Sequence, residues 1–193
     1  MRINLTAKAQ ELASEFFGEN RPMYAIDATL GNGFDALFLS KLINGNGKIF
    51  GFDVQEMAIE SSKKLFAEKN PNCNYEFFKV GHESMQECIA PELIGKIGCV
   101  FFNLGWLPRS DKSVATKSDT TLKALETSVK LIDKNAGYLS VLCYRGHQGG
   151  AEEYSAVLDF FQKNFADKFI SITNEANEIS PVILAMKFSA NNF

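Results

Sequence analysis

Apolar residues at Leu5, Ala9, Leu12 and Phe16 recur three or four apart, which predicts a helix over residues 5–17 with Thr6 near its start. Gly18 and Pro22 stop it. The next apolar run, residues 23–26, is short and unbroken, the pattern of a buried strand. Phe34, Leu37, Phe38, Leu39 and Leu42 then predict a second helix. Asn44-Gly45-Asn46-Gly47 forms a tight connection into a strand over residues 48–53. A helix over residues 55–69 ends at Asn70-Pro71, because proline disfavours a helical predecessor. A strand over residues 75–80 leads through Gly81-His82-Glu83 to a short helix ending near Cys88. Residues 97–102 are continuously apolar, as in a parallel strand covered on both faces. A helix over 119–133, a strand over 138–144 and a helix over 152–164 continue the alternation. Strands over 168–174 and 182–188 are expected to pair antiparallel at one edge. The pattern predicts one α/β domain over residues 1–193. Its single Rossmann-like sheet is mostly parallel, with an antiparallel C-terminal strand and helices on both faces.

Composition narrows the picture without changing it. Hydrophobic residues make up 46% and charged residues 22% of 193 positions, which fits one globular domain with a sizeable core. The longest apolar stretch, residues 97–107, is broken by Asn103 and is too short to span a bilayer. The N-terminal segment lacks a signal-peptide pattern, so a cytoplasmic protein with no membrane partner is expected. Cys73, Cys88, Cys99 and Cys143 lack C-x-x-C spacing, so neither a metal site nor a disulfide framework is indicated. The net charge of −3 does not advertise nucleic-acid binding. Arg109, Lys112 and Lys117 nevertheless cluster in one loop, with Lys123, Lys130 and Lys134 in the helix after it. Such a group could attract phosphates, and it could equally be a solvated loop and helix face.

The chemistry-bearing stretch is Asp27-Ala-Thr-Leu-Gly-Asn-Gly33, a glycine turn between a strand and a helix. Gly31, Gly33 and Ala36 fit the dinucleotide pattern G-x-G-x-x-G/A, and Asp53 lies where a ribose-binding acid belongs. A nicotinamide-dependent oxidoreductase would use that set. Asp27, however, ends the first strand beside the place of a pyrophosphate, which it would repel. A carboxylate there suits a cation, and S-adenosylmethionine carries an ammonium, a sulfonium and a ribose but no phosphate. The alternative is that Asp27 only caps the turn.

In a parallel sheet the strand ends converge on one edge. That edge gathers Asp27 to Gly33, Asp53, His82 with Glu83, Asn103 to Pro108, and Tyr144 to Gly150. It takes in both histidines and the only tryptophan. Asn103-Leu104-Gly105-Trp106 has the layout of an N-P-P-Y loop: amide, two neutral residues, aromatic. An asparagine oxygen and a backbone carbonyl can aim an amine's lone pair, and the ring can stack on a base; the alternative is a strand-ending asparagine with a partly buried tryptophan. His147, in a glycine loop, could be a hydrogen-bond donor, a surface residue or a general base, a neutral imidazole being suited to take up the proton of an ammonium. Glu152 and Glu153 at a helix start have an ordinary explanation in the helix dipole.

These motifs resemble the MnmM (YtqB-like) methyltransferases, a family long described as rRNA methylases. The likeness rests on residues 27–33 followed by Asp35, on His82-Glu83, and on Asn103-Leu-Gly-Trp-Leu-Pro108. It continues through Thr116-Lys117 and residues 120–125, and closes with Tyr144, Gly146-His147 and Gly149-Gly150 leading to Glu153. It implies a class I methyltransferase sheet and S-adenosylmethionine as cofactor. The implied reaction methylates the primary amine of 5-aminomethyl-2-thiouridine at the tRNA wobble position, and the implied assembly is a homodimer. Asp27, Thr29, Gly31, Asn32, Gly33, Asp35, Asp53, Val54, His82, Glu83 and Asn103 would then hold the donor. Leu104, Gly105, Trp106, Arg109, Lys112, Tyr144 and His147 would face the anticodon nucleotide, with Asn103 and His147 catalytic. Trp106 replaces the family's usual tyrosine, and Arg109-Ser110 its usual Gly-Gly pair. Another RNA, such as rRNA, a small amine, or a catalytically silent nucleotide binder remain the alternatives.

Overall fold

The computed structural model describes residues 3–106, 115–174, 177 and 179–189. Seven strands form one sheet: β1 (Tyr24–Asp27), β2 (Lys48–Phe52), β3 (Asn74–Phe78), β4 (Cys99–Leu104), β5 (Ala136–Cys143), β6 (Phe169–Thr173) and β7 (Val182–Ser189). Their order across the sheet is β3-β2-β1-β4-β5-β7-β6. β7 runs antiparallel to both β5 and β6, and the other pairings are parallel. The antiparallel pair expected at the edge is present, with β6 outermost.

Helices α1 (Leu5–Phe17), α2 (Phe34–Leu42) and α3 (Glu56–Lys69) cover one face. Helices α4 (Met85–Cys88), α5 (Ser118–Leu131) and α6 (Gly150–Phe165) cover the other. Side chains alternate across a strand, so β4 sends Cys99 and Phe101 into the α1–α3 layer and Val100, Phe102 and Leu104 into the α4–α6 layer. β5 divides Tyr138 and Leu142 from Leu139, Val141 and Cys143 in the same way. Two apolar layers explain why the central strands read as unbroken apolar runs. Phe66 from α3 and Phe161 from α6 anchor opposite layers and are fully buried, each contributing roughly 1.5–3 kcal/mol of transfer free energy.

Three boundaries differ from the periodicity reading in ways that matter. Asn4, not Thr6, caps α1, its side chain accepting from the Ala7 N–H at 3.1 Å. β3 stops at Phe78, ahead of Val80. β4 runs two residues past Phe102, because pairing with β5 continues to Leu104 opposite Cys143. Asn103 is therefore a strand residue, and the pleat places it on the α1–α3 face. Among the described residues no helix is long and apolar enough to cross a membrane.

Candidate active site

The parallel strands end on one edge, and there a cavity of about 1220 Å³ opens between the α1–α3 layer and the connections that follow β4 and β5. Asp27, Thr29, Gly31, Asn32 and Asp35 line it near the first turn. Asp53, Val54, His82 and Glu83 line its middle, and Asn103, Gly105, Trp106 and Tyr144 its far side. Segments from Thr6 to Tyr144 thus share one cavity; of the expected segment Tyr144 to Gly150 only Tyr144 lines it, and His147 does not.

The glycine turn is locally determined. Gly31 and Gly33 take positive φ of 50° and 78°, a conformation in which a side chain would be strained. A Cβ at Gly33 would also come within 2.6 Å of the Ser62 hydroxyl oxygen. Ser62 projects from α3 and donates its hydroxyl to the Gly31 carbonyl at 3.2 Å. Gly33 therefore serves packing beneath the turn and does not itself line the cavity.

Three carboxyls stand around this turn. Asp53 accepts the Gly31 N–H at 2.9 Å and the Gln55 N–H at 2.9 Å, so both its oxygens are oriented by backbone. Asp27 is fully buried. Its Oδ1 accepts the Thr29 N–H at 3.2 Å, as a turn cap would, but its Oδ2 is buried with no partner. Burial, with the neighbouring Asp35 adding to it, pushes the Asp27 carboxyl up to about 8. A site that strains a carboxylate in this way would bind a cation more strongly than a neutral or anionic group. His82 is buried, its Nδ1 lies 3.2 Å from the Ala28 carbonyl, and burial lowers its pKa, so the ring is neutral near pH 7.

Asp35 proves to be a hub. Gln10 of α1 donates to its Oδ1 at 2.6 Å, and the Asn103 amide donates to its Oδ2 at 2.6 Å. Because the Asn103 Nδ2 is held by a carboxylate, the amide has one orientation, and Oδ1 is left as a hydrogen-bond acceptor. The Asn103 backbone N–H donates to the Thr29 hydroxyl at 2.7 Å, locking strand and glycine turn together. Sequence reasoning did not find Gln10. Its polar position on an amphipathic helix reads as solvent-facing, and only the packing of α1 over α2 brings it to Asp35.

Beyond Asn103 the residues divide. Leu104 is a correction to the expected set: it is core, 1% exposed, because β4 extends through it and the pleat turns it from the cavity. Its carbonyl accepts the Tyr144 N–H at 3.1 Å, and the Gly105 carbonyl accepts the Thr116 N–H at 2.9 Å. Both loop carbonyls thus already hold protein donors. The Trp106 ring stands edge-to-face with His147, at 4.9 Å and 89°. His147 Nδ1 lies 3.0 Å from the Gln148 carbonyl, which assigns the proton to Nδ1 and the lone pair to Nε2. Nε2 is shielded from solvent, has no hydrogen-bond partner, and lies 3.8 Å from where a Cβ of Gly105 would be. Arg109 and Lys112 lie outside the described residues, as do Leu107, Pro108 and Ser110. Of the remaining lysines singled out, Lys117 stands at the cavity rim. Lys134 instead donates to the Val129 carbonyl and lies over the Phe188 ring.

The chemistry of this wall fits an adenosyl amino acid. Asp53 presents oriented oxygens to a diol, and Asp27 offers a buried carboxyl whose ionised form a cation would stabilise. Phe34, Val54 and Met57, each more than half exposed, form an apolar lip for a flat ring. Among the described residues no group of three or more His, Cys, Asp or Glu could hold a metal ion.

Residues 49–186 match the family described as "Putative rRNA methylase". Over 144 residues the chain is 39% identical to the chloroplastic tRNA (mnm(5)s(2)U34)-methyltransferase of Arabidopsis thaliana. That alignment takes in 70% of this chain and 51% of the plant protein, so the chain spans about half the length of that relative. A "putative rRNA-methylase" structure from Clostridium thermocellum superposes with a TM-score of 0.83 at 31% identity, covering 97% of this chain and 98% of that one. A "putative methyltransferase" of Streptococcus mutans, solved in complex with SAH, gives 0.73 at 29% identity over 92% and 96%.

Proposed function

The chain belongs to the rRNA methylase family, and from that premise we propose that it transfers a methyl group from S-adenosylmethionine to the primary amine of 5-aminomethyl-2-thiouridine at the tRNA wobble position. One observation supports this reading above the others. The Asn103 amide is fixed by Asp35 so that an acceptor oxygen stands at the end of β4, between the carboxyl-rich turn and the Trp106 ring. An amine-bearing base needs both: an acceptor for its N–H and a ring to lie against. The sequence relationship to the plant wobble-uridine enzyme points to the same acceptor.

Asp53 binds the ribose hydroxyls, and Asp27 binds the ammonium of the donor's amino-acid arm. Bound there, S-adenosylmethionine would supply an electrophilic methyl group, its C–S bond breaking as the amine's N–C bond forms and the sulfur leaving as a neutral thioether. An alkylammonium has no lone pair, so the acceptor must first lose a proton. Asn103 Oδ1 accepts one N–H of the amine and so orients it. His147 Nε2, a lone pair without a hydrogen-bond partner behind Gly105, is the base of this reading; His147 is not among the cavity-lining residues, so its ring must turn towards the cavity to take that proton.

Replacing His147 with Ala is expected to lower the rate at pH 7 by about tenfold to a hundredfold, with the deficit shrinking as pH rises and solvent frees the amine. A normal rate across roughly pH 6 to 9 would sink the base role. The substrate assignment is tested with two anticodon-arm RNAs that differ only at the wobble base, one bearing the aminomethyl group and one unmodified. Methylation of the first alone is expected; equal methylation of both, or of neither, would remove the amine from the account.

A further inference from the structure

Glu153 lies in the first turn of α6, where a carboxylate is favoured by the helix dipole, and solvent exposure would be the ordinary outcome. It is instead 2% exposed, in the layer between α5 and α6. Its two oxygens are separately engaged. Oε2 accepts the Thr116 hydroxyl at 2.7 Å, and Oε1 accepts the Thr121 hydroxyl at 2.6 Å. A buried carboxylate is retained only where its lone pairs are satisfied, so these two threonines are its counterpart.

The three residues sit on different segments. Thr121 belongs to α5, Glu153 to α6, and Thr116 to the short limb that leads into α5. That limb meets the wall directly. Ala115 forms an antiparallel bridge with Trp106, and the Thr116 N–H donates to the Gly105 carbonyl. Ala115 and Thr116 also line the cavity. Glu153 thus grips, from below, the strip of backbone against which Gly105 and Trp106 are laid.

We infer that Glu153 is a positioning residue, which holds the Thr116 limb so that Trp106 and Gly105 present the acceptor-side wall at a fixed distance from Asn103. It touches neither donor nor acceptor. The inference rests on the reading of this wall as the acceptor site. Removing the latch loosens the acceptor side and leaves the donor side, built on β1, β2 and α2, as it was.

Trp106 is the chain's only tryptophan, so its fluorescence reports on this wall without any turnover. The full-length protein would be compared with Thr116→Val, Thr116→Ser and Thr121→Val. Acrylamide quenching, S-adenosylhomocysteine affinity by calorimetry and the acceptor KM would be measured on each. Thr116→Val is expected to raise the quenching constant about twofold and the acceptor KM about fivefold to tenfold, with S-adenosylhomocysteine affinity unchanged. Thr116→Ser keeps the hydroxyl and should match the parent. Thr121→Val loses one hydrogen bond of the same kind but leaves the limb held, so its quenching should stay near the parent value. Parental quenching in Thr116→Val would overturn the inference, and so would an equal loss of S-adenosylhomocysteine binding. If the parent protein methylates no RNA, the functional reading falls, while quenching and S-adenosylhomocysteine affinity still decide the latch.

Discussion

Asp27→Asn is expected to bind S-adenosylmethionine at least about a hundredfold more weakly than the parent and yet to unfold at a higher temperature. The amide retains an oxygen for the Thr29 N–H and removes the charge that burial and Asp35 disfavour. The parent carboxyl titrates near 3.8 when exposed and near 8 in the fold, chiefly through burial and then through Asp35. Because the folded value is the higher one, the folded chain holds a proton that the unfolded chain has released between those pH values. Stability from this group is therefore complete below about pH 4 and declines as pH rises towards 8. The loss accumulates across that window, and for a domain of this size 1 kcal/mol is worth roughly 2–4 °C. The melting difference between variant and parent should thus widen from pH 5 to pH 8. Donor affinity of the parent should rise over the same interval, since the donor's ammonium binds the carboxylate form. A variant that loses donor affinity but melts at or below the parent temperature would mean that Asp27 is a stabilising cap and not a strained binding group.

Asn103→Ala carries the second large effect, on turnover. The donor pocket keeps Asp27, Asp53 and the glycine turn, so S-adenosylhomocysteine affinity should change by no more than about fivefold. The acceptor amine loses the oxygen that orients it, and kcat should fall on the order of a hundredfold to a thousandfold. Asp35→Asn tests the same element one bond back. An amide at position 35 no longer dictates which end of Asn103 faces the cavity, and kcat should fall by a smaller factor. Calorimetry and single-turnover assays on the two variants separate binding from chemistry. Loss of donor binding in step with kcat would make Asn103 a donor ligand only.

The glycine turn and its carboxyls were legible because the signal is local: strand, turn and helix follow within twenty residues, and Gly31 and Gly33 adopt the backbone that only glycine takes easily. The convergence of strand ends was legible for a topological reason, since parallel strands must all finish on one edge. Asn103 was placed at that edge, but its role in the strand was not seen, because the apolar run was taken to end at Phe102. Extending the alternation of Cys99 and Phe101 by one step would have set Asn103 on the α2 face, opposite Asp35. Leu104 would then have fallen in the core. Gln10 and Glu153 were less accessible. Each is polar in a helix whose apolar stripe is clear, and periodicity assigns such residues to solvent. Their partners are 25 and 32–37 residues away in sequence, and only helix packing on the sheet brings them together. His147 was recognised as chemistry-bearing, but no spacing in the sequence shows that its ring meets Trp106.

Labelled methyl transfer to bulk RNA tests the central claim most directly. Purified protein and isotopically labelled S-adenosylmethionine would be incubated with tRNA from cells lacking this gene, with rRNA in a parallel reaction. Each RNA would then be digested and the labelled nucleoside identified by mass spectrometry. Label in 5-methylaminomethyl-2-thiouridine from tRNA, and none from rRNA, is the predicted result. Label confined to rRNA, or absent from both RNAs while the protein binds the donor, would contradict it.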